Sequence, residues 1–177
     1  MGIPGESLVV SGQAVVRAEA ASKLTLGLRV LGRRSDGFHD LEALVVSVNE
    51  PHDLIEIRLA DGGRGVRLVV ENLGSSEQAS IEGDRVPTGA ANLAVCAAEM
   101  LLRHMDARDV GVELVLRKGI PVGGGLGGGS ADAAAVLVGL RRLLGADDEV
   151  DGTTLMKLGA QIGSDVPFCV NGGAAWM

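Results

Sequence analysis

The sequence predicts an α+β domain in which a mixed β-sheet is backed by helices. The chain has 177 residues, of which 46% are hydrophobic and 22% are charged, and this balance suits one globular domain with a sizeable core. Segments with the two-residue alternation of strands come first, and segments with helical composition come mostly second. We find no internal repeat and no internal linker, so the strands and helices belong to one unit.

Strands are predicted where apolar and polar residues alternate along the chain. These segments are 14–18, 23–30, 44–48, 54–59, 66–70 and 112–117. In 23–30 the alternation is cleanest, with Leu24, Leu26, Leu28 and Val30 on one side, so we expect a half-buried strand there. Residues 1–12 show no clear period and predict a short amino-terminal extension to a domain that spans 13–177. The polar segments 32–37 and 73–89 predict a turn and a loop.

Helices are predicted at 90–105, 130–144 and 153–162, where Ala, Leu and Met are frequent. Ser130 suits the N-cap of the second helix, with Asp132 in its first turn, and Gly145 suits its end. Gly163 stops the third helix, and Pro167 makes a restart of that helix unfavourable. Residues 174–177 read as the beginning of one more strand.

Composition and charge exclude several classes of protein. The net charge of −7 and the pI of about 4.9 argue against a general nucleic-acid binder, which usually carries a basic face. The sequence shows no signal peptide and no apolar run long enough to span a membrane. Cys96 and Cys169 form no C-x-x-C pair, so we expect buried thiols in a reducing compartment. The prediction is a cytoplasmic protein without nucleic-acid or membrane partners.

A glycine-rich loop joins a predicted strand directly to a predicted helix. Six of the nine residues from 121 to 129 are glycine. Glycines let backbone N–H groups turn toward an anion, and the amino terminus of the following helix adds partial positive charge. This arrangement predicts a phosphate-binding loop rather than a flexible linker.

The phosphate ligand is not settled by the loop itself. No Gly-Lys-Ser/Thr follows, so the loop is not a P-loop. Gly123, Gly125 and Gly128 satisfy G-x-G-x-x-G, which keeps a dinucleotide-dependent oxidoreductase as a remote alternative. A dinucleotide fold also needs a strand that ends in an acidic residue about 20 residues further on, whereas Asp147 and Asp148 follow the helix with no strand between.

The loop resembles the second motif of the GHMP kinases, P-x-x-x-G-L-G-x-x-S-[SA]. This resemblance implies that the loop wraps the phosphates of ATP. The residues to which it assigns ATP binding are Pro121, Val122, Gly123, Gly124, Gly125, Leu126, Gly127, Gly128, Gly129, Ser130 and Ala131.

Two further segments resemble one branch of that family, the 4-diphosphocytidyl-2-C-methyl-D-erythritol kinases. The segment from Ser22 to Leu26, followed by Asp36-Gly37-Phe38-His39, is similar to the branch's opening pattern A-K-[IL]-N-L and D-G-[YF]-H. The segment from Gly163 to Phe168 is similar to its G-[AS]-D-[VI]-P-[FV] motif. The three motifs occur in the expected order and extend over residues 23–168.

The resemblance implies a reaction and a role for several residues. The branch transfers phosphate from ATP to the 2-hydroxyl of its substrate on the non-mevalonate route to isoprenoid precursors. The matching aspartate, Asp165, is the catalytic base, and the matching lysine, Lys23, is its partner. His39 contacts the cytosine of the substrate, Phe38 stacks on it, and Thr25 lies in the substrate pocket.

The use of ATP implies Mg²⁺. Ser130 and Asp132 are the candidate ligands, and helix capping is the alternative role for both.

The chain departs from the branch pattern at four positions. Thr25 replaces the usual Asn, Phe38 replaces Tyr, Ala131 replaces a common Ser, and Cys169 replaces a frequent Phe. These changes bear on substrate affinity more than on the type of reaction.

The branch has a second domain that closes the cleft, and the resemblance reaches only the first, so we expect the carboxyl-terminal domain to be absent. Another small-molecule kinase of this family and a nucleotide-binding fragment without turnover remain alternatives, and the oligomeric state is open. On its own, this chain is expected to bind ATP weakly, to turn over little or no substrate and to form dimers or aggregates, because an isolated half exposes apolar surface.

Overall fold

The computed structural model describes residues 5–10, 13–33, 35, 37, 39–72 and 86–177. These residues form a six-stranded sheet and four helices, which confirms the predicted α+β fold. In chain order the elements are β1 (Gly5–Val10), β2 (Gln13–Arg33), β3 (His39–Ala60), β4 (Gly65–Asn72), α1 (Leu93–His104), β5 (Gly111–Lys118), α2 (Gly128–Leu143), α3 (Gly152–Ile162), α4 (Val166–Asn171) and β6 (Ala174–Trp176).

The sheet is mixed, with the strand order β1-β2-β3-β5-β4. β4 and β5 are parallel, and α1 lies between them in the chain, whereas the other neighbouring strands are antiparallel. β6 pairs with β3 off this path, which confirms the strand predicted at 174–177. β1 belongs to the sheet as well, so part of the predicted 1–12 extension is a strand paired with β2.

β2 and β3 are each longer than the sequence predicted. The strands expected at 14–18 and 23–30 are one strand of 21 residues, and those expected at 44–48 and 54–59 lie in one strand of 22 residues. The register shifts between Ala21 and Ser22, where the partner on β3 changes from His52 to Val48. This irregularity lies directly before Lys23. The distal parts of the two strands form a hairpin beyond it.

The prediction that 23–30 forms a half-buried strand is wrong for most of that segment. Every residue from 24 to 33 is exposed, and Leu26, Leu28 and Val30 have 58%, 62% and 58% of their surface accessible. Register shifts between Thr25 and Gly27 and between Val30 and Gly32 interrupt the alternation. The apolar side chains on the β2 side of this hairpin therefore lie in solvent, whereas Val45 on the β3 side is buried.

The core lies between the other part of the sheet and the helices. Ile55 and Ile57 of β3 are fully buried, and α2 packs so closely on β3 that a Cβ at Gly139 would lie 2.6 Å from Ile57 Cδ1. The alternate side chain Glu56 faces the other side of the sheet, where it accepts hydrogen bonds from Arg17 at 3.1 Å and Arg58 at 2.7 Å. Period-two alternation therefore does separate a core face from an ion-paired face here.

Two helices begin at other residues than predicted. α1 begins at Leu93 rather than at residue 90, because Asn92 is its N-cap and accepts a hydrogen bond from the Ala94 N–H at 2.8 Å. α2 begins at Gly128, and its N-cap is Gly127 in the left-handed conformation rather than Ser130. Asp132 consequently lies beyond the first turn of α2.

The prediction that Pro167 makes a restart of the helix unfavourable is wrong. α4 spans Val166–Asn171, with Pro167 in its first turn. N–H groups in the first turn have no acceptor within their own helix, so a proline there loses no hydrogen bond. The third predicted helix is confirmed as α3.

Of the predicted loop 73–89, residues 73–85 lie outside the described residues. Among the described residues, no helix is long and apolar enough to cross a membrane.

Candidate active site

The glycine-rich loop connects the end of β5 at Lys118 to the beginning of α2 at Gly128. Gly123, Gly125 and Gly127 adopt φ values of 74°, 71° and 71°, a region that favours glycine over residues with a side chain. A Cβ at Gly123 or Gly125 would meet no atom of the described residues within 4 Å, so the backbone at both positions is open to a ligand. When residues in the left-handed conformation alternate with residues in other conformations, successive backbone N–H groups can point toward the same anion.

The end of this loop is docked against Lys23 of β2. The Lys23 N–H donates to the Leu126 carbonyl at 2.9 Å. A Cβ at Gly127 would lie 2.6 Å from Lys23 Cγ, so this position requires glycine both for its backbone conformation and for the close contact. The loop and Lys23 therefore have a fixed relative position.

A cavity of about 400 Å³ lies beside the loop. Val86, Pro87 and Leu93 provide an apolar part of its wall, and Asn92, Lys118, Ser130 and Asp132 provide polar groups. The remaining lining residues are Ala91, Pro121, Val122, Gly123, Gly124, Gly125, Leu126, Gly127, Gly128 and Gly129.

Ala131 stands apart from the other residues of the loop motif. Its side chain is buried in the core, and its N–H donates to the Gly127 carbonyl at 2.9 Å. The structure thus gives Ala131 a place in the first turn of α2 rather than on the wall of the cavity.

Lys23 and Asp165 form an ion pair on the other side of Gly127. Lys23 Nζ lies 2.9 Å from Asp165 Oδ2, and the two side chains are 14% and 30% exposed. Asp165 precedes α4, yet its side chain makes no capping hydrogen bond, so the carboxylate faces Lys23 instead. Nearby, a Cβ at Gly163 would lie 3.8 Å from Ser130 Oγ, which places the segment that contains Asp165 beside the start of α2.

The structure does not place all of the predicted substrate-binding residues near the Lys23–Asp165 ion pair. Thr25 is exposed and lies two residues after Lys23 in regularly paired strand, so both side chains are on the same face of β2. His39 is exposed and pairs with Arg33 at the far end of the hairpin, remote from Lys23. Phe38 lies outside the described residues.

A buried cluster of three charged groups was not predicted from the sequence. Lys118 Nζ donates to Asp53 Oδ2 and, at 2.9 Å, to Asp132 Oδ2. Asp53 Oδ1 also accepts from the N–H groups of Gly119 and Ile120 at 2.7 and 2.8 Å. Two features of the sequence could have indicated this cluster. Asp53 is a carboxylate directly before the apolar pair Leu54-Ile55, and Lys118 is a lysine at the end of the strand that leads into the glycine loop.

This cluster contains two carboxyl groups and one ammonium. Burial raises the pKa of the Asp132 carboxyl to about 8, although the charge of Lys118 acts in the opposite direction. Burial would lower the pKa of Lys118, but the charge of Asp132 and the hydrogen bonds with both carboxylates outweigh it and raise that pKa. Asp132 Oδ1 is buried and has no hydrogen-bond partner among the described residues. Asp132 also lines the cavity, so this oxygen is a candidate contact for a ligand there.

Cys169, one turn after Asp165, does not supply a nucleophile. Burial raises the pKa of its thiol to about 12, and the nearby charge of Asp165 adds to this effect. The reactive form of cysteine is the thiolate, so a thiol with this pKa is inert at neutral pH.

We expect Asp132→Asn to reduce the pH dependence of stability. An acid whose pKa is raised by folding stabilises the protein below its unfolded pKa, here near 3.8, and this contribution is lost as the pH rises through the raised value. Between about pH 5 and about pH 9 the free energy of unfolding of the wild type should therefore fall relative to that of the variant, because only the wild type has a buried carboxyl group that loses its proton over this range. Urea unfolding of the ligand-free protein in chelator measures this difference, and parallel pH profiles for the two proteins would contradict it.

The sequence matches the profile of the GHMP kinases N terminal domain over residues 92–173. It is 44% identical over 161 residues to the 4-diphosphocytidyl-2-C-methyl-D-erythritol kinase of Pelotomaculum thermopropionicum, covering 91% of this chain and 50% of that protein. It is also 44% identical over 160 residues to the enzyme of that name from Gloeobacter violaceus, covering 90% of this chain and 47% of that one.

A solved structure shares the fold. A crystal structure of 4-(cytidine 5'-diphospho)-2C-methyl-D-erythritol kinase superposes with a TM-score of 0.68 at 35% identity. The superposition covers 91% of this chain and 51% of that one. The chain spans about half the length of the relatives it matches.

Proposed function

This chain belongs to the GHMP kinase family, and on that premise we propose that it is the nucleotide-binding part of a 4-diphosphocytidyl-2-C-methyl-D-erythritol kinase. The reaction is transfer of the γ-phosphoryl group of ATP to the 2-hydroxyl of that substrate, in the cytoplasm, on the non-mevalonate route to isoprenoid precursors. The observation that carries the proposal is the Lys23–Asp165 ion pair, which the close contact at Gly127 fixes against an open glycine loop.

ATP is bound by the loop and by the cavity beside it. The N–H groups of the loop and of the first turn of α2 receive the phosphates, because they carry partial positive charge and no Cβ blocks the approach at Gly123 and Gly125. The apolar wall of Val86, Pro87 and Leu93 suits the nucleobase. Backbone recognition of this kind is compatible with the net charge of −7.

Asp165 acts as the general base. The acceptor hydroxyl loses its proton as it attacks the γ-phosphorus, and a carboxylate within hydrogen-bond reach can take that proton. Lys23 holds the carboxylate in one orientation, since Lys23 Nζ and Asp165 Oδ2 are 2.9 Å apart. Because the Asp165 side chain makes no capping hydrogen bond, its second oxygen can face a substrate.

The donor set beside the loop fits Mg²⁺. This ion takes oxygen ligands and is usually held by one or two carboxylates together with substrate phosphates. Ser130 Oγ and the unpartnered Asp132 Oδ1 are the protein oxygens that would hold it. When bound, it would neutralise charge on the transferred phosphoryl group. The described residues contain no group of three His, Cys, Asp or Glu side chains suited to a metal, so the phosphates would supply most of the remaining ligands.

The acceptor lies along the hairpin side of the ion pair. Thr25 faces the same side of β2 as Lys23 and can contact a group next to the reacting hydroxyl. His39 is further along the exposed hairpin, where it can contact a distant part of an extended substrate such as the cytosine. Both are polar side chains that solvent can reach in this structure.

A phosphotransfer screen tests the proposed function. In a protein that contains both this chain and the second half found in its relatives, we expect ADP formation with 4-diphosphocytidyl-2-C-methyl-D-erythritol but not with mevalonate or homoserine. The chain of 177 residues alone should turn over little, since orientation of the acceptor can supply roughly 7–11 kcal/mol of a barrier.

Binding calorimetry with ATP and with NAD provides the control. Tighter binding of NAD, or equal turnover of all the alcohols, would contradict the proposal.

A further inference from the structure

Asp53 lies outside the three motifs and does not line the cavity, yet it binds the segment that enters the glycine loop. It is on β3, and none of its surface is exposed. Its Oδ1 accepts hydrogen bonds from two successive backbone N–H groups, those of Gly119 and Ile120. These contacts join residues that are 66 and 67 positions apart in the sequence.

The same carboxylate also acts on the other end of the loop, through Lys118. Asp53 Oδ2 accepts from Lys118 Nζ, which in turn donates to Asp132 of α2 at 2.9 Å. The stem before the loop and the helix after it are therefore both connected to β3 by one buried side chain. Between them lie the glycines with positive φ, which have no side chains to fix their conformation.

We propose that Asp53 is a positioning residue for the binding of a nucleoside triphosphate, because it holds both ends of the glycine loop in the conformation that receives the phosphates. This inference rests on the proposed function for the identity of the ligand. A loop with six glycines among nine residues has a large conformational entropy, and fixing it before the ligand arrives lowers the cost of binding. Asp53 does not touch the ligand and takes no part in proton transfer.

The variants Asp53→Ala and Asp53→Asn separate the two contacts of the carboxylate. Asp53→Ala removes the acceptor for the Gly119 and Ile120 N–H groups as well as the partner of Lys118. Asp53→Asn keeps an oxygen for the two N–H groups but directs an amide NH₂ at the Lys118 ammonium, which is a second donor.

The test combines ATP affinity with amide hydrogen exchange of the loop in the absence of nucleotide. For Asp53→Ala we expect the Kd for ATP to rise by a factor of about 10 or more, and exchange at Gly119, Ile120 and the loop glycines to become faster. Asp53→Asn should show a smaller loss. Ile55→Ala, a cavity variant of the same strand, is the matched control and should lose stability without a change in Kd.

The outcomes distinguish this role from a merely structural one. If Asp53→Ala and Ile55→Ala are destabilised alike in urea and both keep the wild-type Kd, Asp53 only supports the fold and the proposal is overturned. Should Asp53→Ala fail to fold, the comparison of Asp53→Asn with the wild type carries the test, and equal Kd values and equal loop exchange for those two proteins overturn the proposal. If the wild type itself binds no ATP, the proposed function fails, while faster loop exchange in the variants still shows the positioning role.

Discussion

Replacing Asp165 by asparagine is expected to lower kcat by a factor on the order of 10² or more and to leave the Kd for ATP nearly unchanged. The change removes a proton acceptor but keeps the size and polarity of the side chain. The carboxylate makes no capping hydrogen bond to α4, so its loss should not unfold that helix. The measurement is steady-state kinetics in an active protein that contains this chain, together with calorimetric titration of ATP.

The matched control for this variant is Asp147→Asn. The Asp147 carboxylate is 51% exposed and pairs with Arg141 at 2.9 Å, beyond the end of α2 that is remote from the loop. The same chemical change there should alter neither kcat nor affinity. A near-normal kcat for Asp165→Asn would remove Asp165 from the role of base, and a comparable fall in both variants would indicate a general loss of folded protein.

The parts of this fold that were predicted correctly are those in which one local signal decides the structure. Alternation marks the strand at 112–117, glycine content marks the loop after it, and alanine content marks the helix that follows. The pairing of Lys23 with Asp165 was implied by the family resemblance and not by a local signal, and the structure places Lys23 Nζ 2.9 Å from Asp165 Oδ2.

The parts that were missed depend on contacts that are distant in the sequence. Asp53 and Lys118 belong to the site because they are neighbours on adjacent antiparallel strands, a relation that neither local sequence contains. The exposure of Leu28 was not predictable either, since alternation shows which residues share a face but not whether a helix covers that face. The start of α2 at Gly128 instead of Ser130 has a similar cause, because a left-handed Gly127 packed on Lys23 overrides the capping preference of a serine.

Gly125→Val is expected to weaken ATP binding by a factor on the order of 10² or more, so that binding is lost at ordinary concentrations, while the fold stays intact. Gly125 has φ of 71°, where a β-branched residue costs roughly 1–3 kcal/mol, so the loop must either bear that strain or change its conformation. The new side chain would also project into the open space from which phosphate approaches the loop backbone, since no atom of the described part of the chain lies within 4 Å of its Cβ.

Gly145→Val separates these two effects. Gly145 ends α2 with φ of 66°, and a Cβ there would likewise meet nothing within 4 Å, so this variant has the same kind of backbone strain away from the loop. We expect both variants to lose a similar amount of stability in urea, but only Gly125→Val to lose ATP in calorimetric titration. Normal ATP binding by Gly125→Val would show that the phosphates do not contact this part of the loop. Loss of ATP in both variants would instead show that strain anywhere along α2 disturbs the site, because this helix connects the two glycines.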